Sequence, residues 1–188
     1  MEMSGDGIRK DQTVQWIYMG IVLILFISGP MHFAFEGLGR PVFTAAVLPV
    51  NESVFEHLKL AFWPLLFWWL LGYVLYVRHG KGDVNRWFLS GMSSLFVSPL
   101  FILVFYYTYT GALGIHSLFL DILSLPISLL VAQLLAVHIY RYARGPRWAV
   151  PAFIAATALL IVVFALFTYQ PPRLPIFLDT STGRYGLN

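Results

Sequence analysis

The chain has 188 residues, 59% of them hydrophobic and only 11% charged, with a formal net charge of +3 and no cysteine. A soluble domain carries about 25% charged residues, so repeated apolar runs of about 20 residues exclude a water-soluble core and predict an all-α integral membrane bundle. The missing cysteine excludes disulfides, thiolate catalysis and cysteine-based metal sites.

Five spans follow in chain order. The polar start MEMSGDGIRKDQ leads into a first span over 13–35. It is too long for a signal-peptide core and lacks a small-x-small cleavage site, which predicts that it is retained. His32 and Glu36 close it. The second span, 54–77, opens on NESVFEHLKL, with Glu52, Glu56, His57 and Lys59 set against leucine, phenylalanine and tryptophan. The third, 87–109, ends in YYTYTG (Tyr106 to Gly111). The fourth, 113–140, holds His116 and Asp121 near its start, Gln133 near its middle, and Pro126, which predicts a tilt or kink. The fifth, 148–169, is stopped by Pro171 and Pro172. The tail, 170–188, turns apolar again at Leu174 and Ile176 to Leu178 before Asp179, which predicts that it folds over the helix mouths. The spans leave little chain over, so 1–188 reads as a single transmembrane domain.

The basic residues predict the orientation. Arg9, Lys10, Arg78, Lys81, Arg86, Arg141, Arg144 and Arg147 lie on one side, against Arg40, Lys59, Arg173 and Arg184 on the other. By the positive-inside rule the N-terminus is cytoplasmic and the C-terminus extracytoplasmic, in a multi-pass protein of the cell membrane. Its expected partners are membrane lipids, not nucleic acid, and a homo-oligomer is compatible with the span count. Trp16, Trp63, Trp87, Trp148 and Tyr169 lie near span ends, where aromatic belts form.

This threading collects the uncommon polar residues at the outer end. Ser53 followed by Glu56 forms a capping box, and carboxylates suit a helix N-terminus. Capping leaves His57 and Lys59 unexplained. Lys59 pairs with Glu56 at i,i+3 or snorkels outward. Glu52, Glu56, His57 and Asp121 are candidate metal ligands, with His32 and His116 as further ones. Their donors suit zinc, manganese or iron, although no spacing here is a metal signature. Asp121, eight residues into its span, requires a partner or a proton. It reads either as helix glue to Lys59, a tyrosine or Gln133, or as a general acid or base. Glu52, Lys59, Tyr107, Tyr109, Gln133 and Asp179 are candidate ligand-binding residues. Tyrosines at an interface and a glutamine between helices have bland roles as well.

NESVFEHLKL (Asn51 to Leu60), YTYTG (Tyr107 to Gly111), the aspartate of LDI (Asp121) and PPRLPIFLDTSTGRYG (Pro171 to Gly186) span most of the chain. In these motifs the sequence resembles a family of small prokaryotic multi-pass membrane proteins of unknown function. The resemblance implies a membrane protein with the polar mouth and the tail as shared features, and it implies no activity. His32 and His116 fall outside the motifs.

Three functional readings remain open on the sequence. One is a hydrolase of a lipid or small amphiphile, with a divalent metal such as zinc and with Glu56, His57 and Asp121 as catalytic groups. Another is a transporter or ligand-binding subunit, although five spans without a repeat do not suit an alternating-access monomer. The third is a structural membrane subunit whose polar groups only join helices.

Overall fold

The computed structural model describes the backbone of residues 5–80 and 82–187, with side chains from Gln12 onward. The side chains of Arg9 and Lys10, and all of Lys81, lie outside the described residues. Five helices follow one another: α1 (Gly5–Gly37), α2 (Val54–Leu75), α3 (Val84–Tyr107), α4 (Leu118–Tyr142) and α5 (Ala149–Tyr169). All five are long and apolar enough to cross a membrane. Among the described residues the extended structure is one isolated antiparallel bridge, Leu178 to Tyr185, in the tail. The chain is therefore an all-helical bundle.

Side-chain caps set three of the helix starts. Ser53, Asp83 and Ser117 each accept a hydrogen bond from the backbone N–H three residues on, at Glu56, Arg86 and Leu120. The expected capping box at Ser53 is half formed. Its hydroxyl caps Glu56, but its own N–H goes to Asn51 Oδ1 at 2.9 Å, which releases the Glu56 carboxylate for other partners.

The fourth span begins later than the hydropathy pattern predicts. A π-helical turn (Thr108–Ala112) extends α3, and residues 113–117 form an irregular link through Gly114, whose φ of +65° suits glycine. Asp121 therefore lies in the first turn of α4 and not deep within it. Past Pro126 the helix continues to Tyr142.

α3 is the hub, packed on α2, α4 and α5, while α1 packs on α2 and α4. The close approach of α3 and α4 follows from small residues every fourth position. Ser90, Ser94 and Ser98 on one helix meet Ser124, Ser128, Ala132 and Ala136 on the other, all buried. Ser98 and Ser128 share a 2.9 Å hydrogen bond. Gln133 Nε2 donates to Ile17 O at 3.0 Å and its Oε1 accepts from Ser94 at 2.9 Å, tying α4 to both α1 and α3.

Trp16 and Trp87 depart from the aromatic-belt expectation, because both are buried inside the bundle. Trp16 stacks on Trp68 with centroids 4.0 Å apart, and each indole N–H donates to the other residue's carbonyl. Trp87 donates to Trp69 O at 3.1 Å. An indole buried this way brings its own polar group's partner with it, which an aliphatic residue would not need. Trp148 and Tyr169 are exposed, as a belt requires.

Candidate metal centre

One end of the bundle gathers the C-terminus of α1, the N-terminus of α2, the π turn, the N-terminus of α4 and the tail. Two polar assemblies are built there, and they differ in kind.

The first is closed. Lys59, fully buried, donates to Glu56 Oε2 at 2.7 Å, to Ala45 O at 2.7 Å and to Leu48 O at 3.4 Å. Glu56 Oε2 also accepts Val50 N–H at 2.9 Å, and Oε1 accepts the Thr168 hydroxyl at 2.9 Å. A buried ion pair is tolerable only when its remaining donors and acceptors are met. Here they are, and the network pins the 42–50 loop to α2 and α5. Lys59 has turned inward to pair and has not snorkelled.

The second is open. His32 on α1, Glu52 before α2 and His57 on α2 offer ligand atoms that all lie within 4.8 Å of one another. His32 Nε2 is 3.1 Å from His57 Nε2 and 3.7 Å from Glu52 Oε2, and His57 Nε2 is 3.4 Å from the same carboxylate oxygen. His57 Nδ1 lies 2.8 Å from Ser53 O. A carbonyl can only accept, so Nδ1 carries the proton and a neutral His57 turns the lone pair of Nε2 toward the cluster. Two imidazole nitrogens and one carboxylate oxygen then converge, an arrangement that a cation, or a proton carried on His32 Nε2, satisfies.

The spacing fits a metal. Ligands at 2.0–2.2 Å in tetrahedral or octahedral arrangement stand about 3.0–3.5 Å apart, and the observed edges are 3.1, 3.4 and 3.7 Å. A ring nitrogen held by a backbone carbonyl is also the usual support of a metal-bound imidazole. His32 lacks that support: its Nδ1 is buried with no hydrogen-bond partner among the described residues, and its ring rests edge-on to Phe33. His57 Nε2, which can donate to the Glu52 carboxylate only when the ring is protonated, holds that carboxyl below the usual carboxylate range, against a smaller opposing effect of burial.

The other candidates sort around this triad. Asp121 accepts a hydrogen bond from the buried Tyr109, which the π turn positions, and it lies within electrostatic reach of His57. Tyr107 is exposed and packs edge-on to Tyr106. His116 is exposed on the link before α4. Gln133 is part of the helix–helix joint described above, and Glu36 pairs with Arg40 at 2.7 Å. Glu56 and Asp121 are not among the three residues that come together.

The tail completes the site. Phe177 is buried against Phe55 and Phe167, and Gly186 O accepts from Asn51 Nδ2 at 3.0 Å. Asp179 shapes the turn between. Burial pushes its carboxyl up, but hydrogen bonds from Ser181 and Thr182 outweigh this and hold it below its usual value. Between tail and helices lies a pocket of about 300 Å³ whose wall includes His32 and Glu52. Asn51 is not among the sequence's candidate residues, and Arg184 is read there only as a topology signal; the Asn-x-Ser turn is the available cue for the first.

No curated protein and no solved structure matches this chain. The model of a family of unknown function (DUF6512) matches residues 6–187, and the chain belongs to that family.

Proposed function

We propose that the protein is a multi-pass protein of the cell membrane with a divalent-metal site at the extracytoplasmic end of its bundle. Its ligands are His32, Glu52 and His57, and it serves hydrolysis of a lipid or small amphiphile. The observation that carries this is the convergence of two imidazole nitrogens and one carboxylate oxygen at metal-ligand spacing beside an open pocket. Three protein ligands leave a position for water or substrate, as catalytic sites do and closed structural sites do not. Two imidazoles with a carboxylate suit zinc, with iron and manganese as competitors. A bound divalent ion would act there as a Lewis acid and lower the pKa of a water. Asp121, with Oδ1 held by Tyr109 and within electrostatic reach of His57, is the candidate for accepting a proton. Glu56 and Lys59 hold the scaffold.

Packing below the site favours this reading over transport. Ile24, Phe62, Leu65, Trp69 and Gln133 are each buried to 1% exposure or less, so bulky side chains fill the interior instead of lining a path.

The test is metal content of the detergent-purified protein by elemental analysis, followed by titration of the metal-stripped protein with zinc and manganese. The expected result is one equivalent of metal per chain, lost in His57→Ala and Glu52→Gln and weakened in His32→Ala. The partner-less Nδ1 of His32 makes it the lesser ligand. A protein that takes up no metal, or binds it equally well as His57→Ala, contradicts the assignment; the three atoms would then share only a proton.

A further inference from the structure

We infer that the pocket beside these ligands is a phosphate-recognition site in which Arg184 grips the substrate's oxyanion; this rests on the metal reading above. The pocket runs between His32 and Glu52 on the helix side and Asp179, Thr182 and Arg184 on the tail side. Its charges do not cancel. Asp179 is saturated, with Oδ1 accepting from Ser181 N–H and hydroxyl and Oδ2 from Thr182. Glu36 is engaged by Arg40, and Glu52 faces His57. The Arg184 guanidinium makes no ion pair or hydrogen bond among the described residues.

An unengaged guanidinium on one wall and a divalent ion on the other form a two-point clamp for an anion. The arginine fork reads oxygens in pairs. A phosphate monoester has three free oxygens, so it can face the metal with one and keep two for the fork. A carboxylate has only two and satisfies one partner fully at the expense of the other. The volume suits a head group and not a whole lipid. Phe33 also lines the pocket and is 71% exposed, which gives an attached acyl chain an apolar way out along α1.

A phosphate can come from a lipid head group or from a soluble ester, and the experiment separates them. The full-length protein is purified in a non-ionic detergent, its metal content is measured, and calorimetry follows four probes: dihexanoyl phosphatidic acid, dihexanoyl phosphatidylcholine, inorganic phosphate and hexanoate. The phosphatidate is expected to bind at least about tenfold more tightly than phosphatidylcholine or hexanoate. Arg184→Gln should keep full metal content and lose about tenfold in phosphatidate affinity, with Arg184→Lys between the two. Inorganic phosphate matching the phosphatidate supports the site and assigns it to soluble esters; weaker binding assigns it to lipid. Unchanged affinity in Arg184→Gln, or hexanoate binding as well as phosphatidate, overturns the proposal. The metal reading fails separately: Arg184-dependent phosphate binding by a protein without metal would refute that reading and leave the phosphate site in place.

Discussion

Lys59 shows how a charged residue is accommodated inside a span. Its ammonium is fully buried yet reaches one carboxylate and two loop carbonyls. Deleting one partner of such a pair leaves the other as an uncompensated buried charge, at a cost of about 3–5 kcal/mol. Lys59→Met should therefore lower thermal stability in detergent sharply, and Glu56→Gln combined with Lys59→Met should recover much of the loss. Equal stability of the single and double variants would mean that the pair carries no charge in the fold. This pairing was legible in the sequence, because residues three apart on a helix face each other. What was not legible is that Glu52, not Glu56, belongs to the triad. Glu52 precedes α2, so helical periodicity says nothing about where its carboxylate goes. The meeting of His32 with His57 depends on how α1 crosses α2, which no local spacing encodes.

Among the elements, the tail carries the clearest consequence for the site. Asn51 bonds in two directions, with Nδ2 donating to Gly186 O and Oδ1 accepting from Ser53 N–H, and Glu52 sits between those contacts. Ser53 O in turn accepts from His57. Tail, loop and ligand are thus linked in series, and Asn51→Ala should weaken metal binding by about 10–100-fold, as loss of a supporting hydrogen bond does. Its effect on stability should be smaller, about 1 kcal/mol per lost bond. Titration of the metal-stripped variant decides this, and wild-type affinity would break the chain of contacts. The apolar residues after the double proline were the sequence's cue that the tail packs; Phe177 enters the core and Ile176 packs against it. The start of α4 was misjudged for a physical reason: Leu113, Ile115 and Leu118 are apolar but exposed, so hydropathy ran past Gly114 to a helix that the Ser117 cap begins later.

Over the whole molecule, the two ends of the bundle differ in chemistry. The end away from the site carries Arg78, Arg86, Arg141, Arg144 and Arg147. The site end has Arg40, with Glu36 beside it, the enclosed Lys59, and Arg173 and Arg184 on the tail. Lysine and arginine in short loops set orientation because they resist translocation, whereas acidic residues contribute little. Lys59 and Glu56 bury as a pair, so that lysine offers a weaker topological signal than an exposed one. The basic asymmetry is then larger than a bare residue count implies, and the positive-inside rule predicts from it that the site end faces outside. A reporter active only in the cytoplasm should work when inserted at Gly80 and fail when fused to the C-terminus; a reporter requiring export should do the reverse. Arg141→Glu with Arg144→Glu and Arg147→Glu should shift a fraction of the molecules toward the opposite pattern, because those residues form the densest basic loop. A cytoplasmic C-terminus in the unmodified protein would put the His32–Glu52–His57 cluster inside the cell. The metal geometry would be untouched, but any substrate would then have to be cytoplasmic or in the inner leaflet.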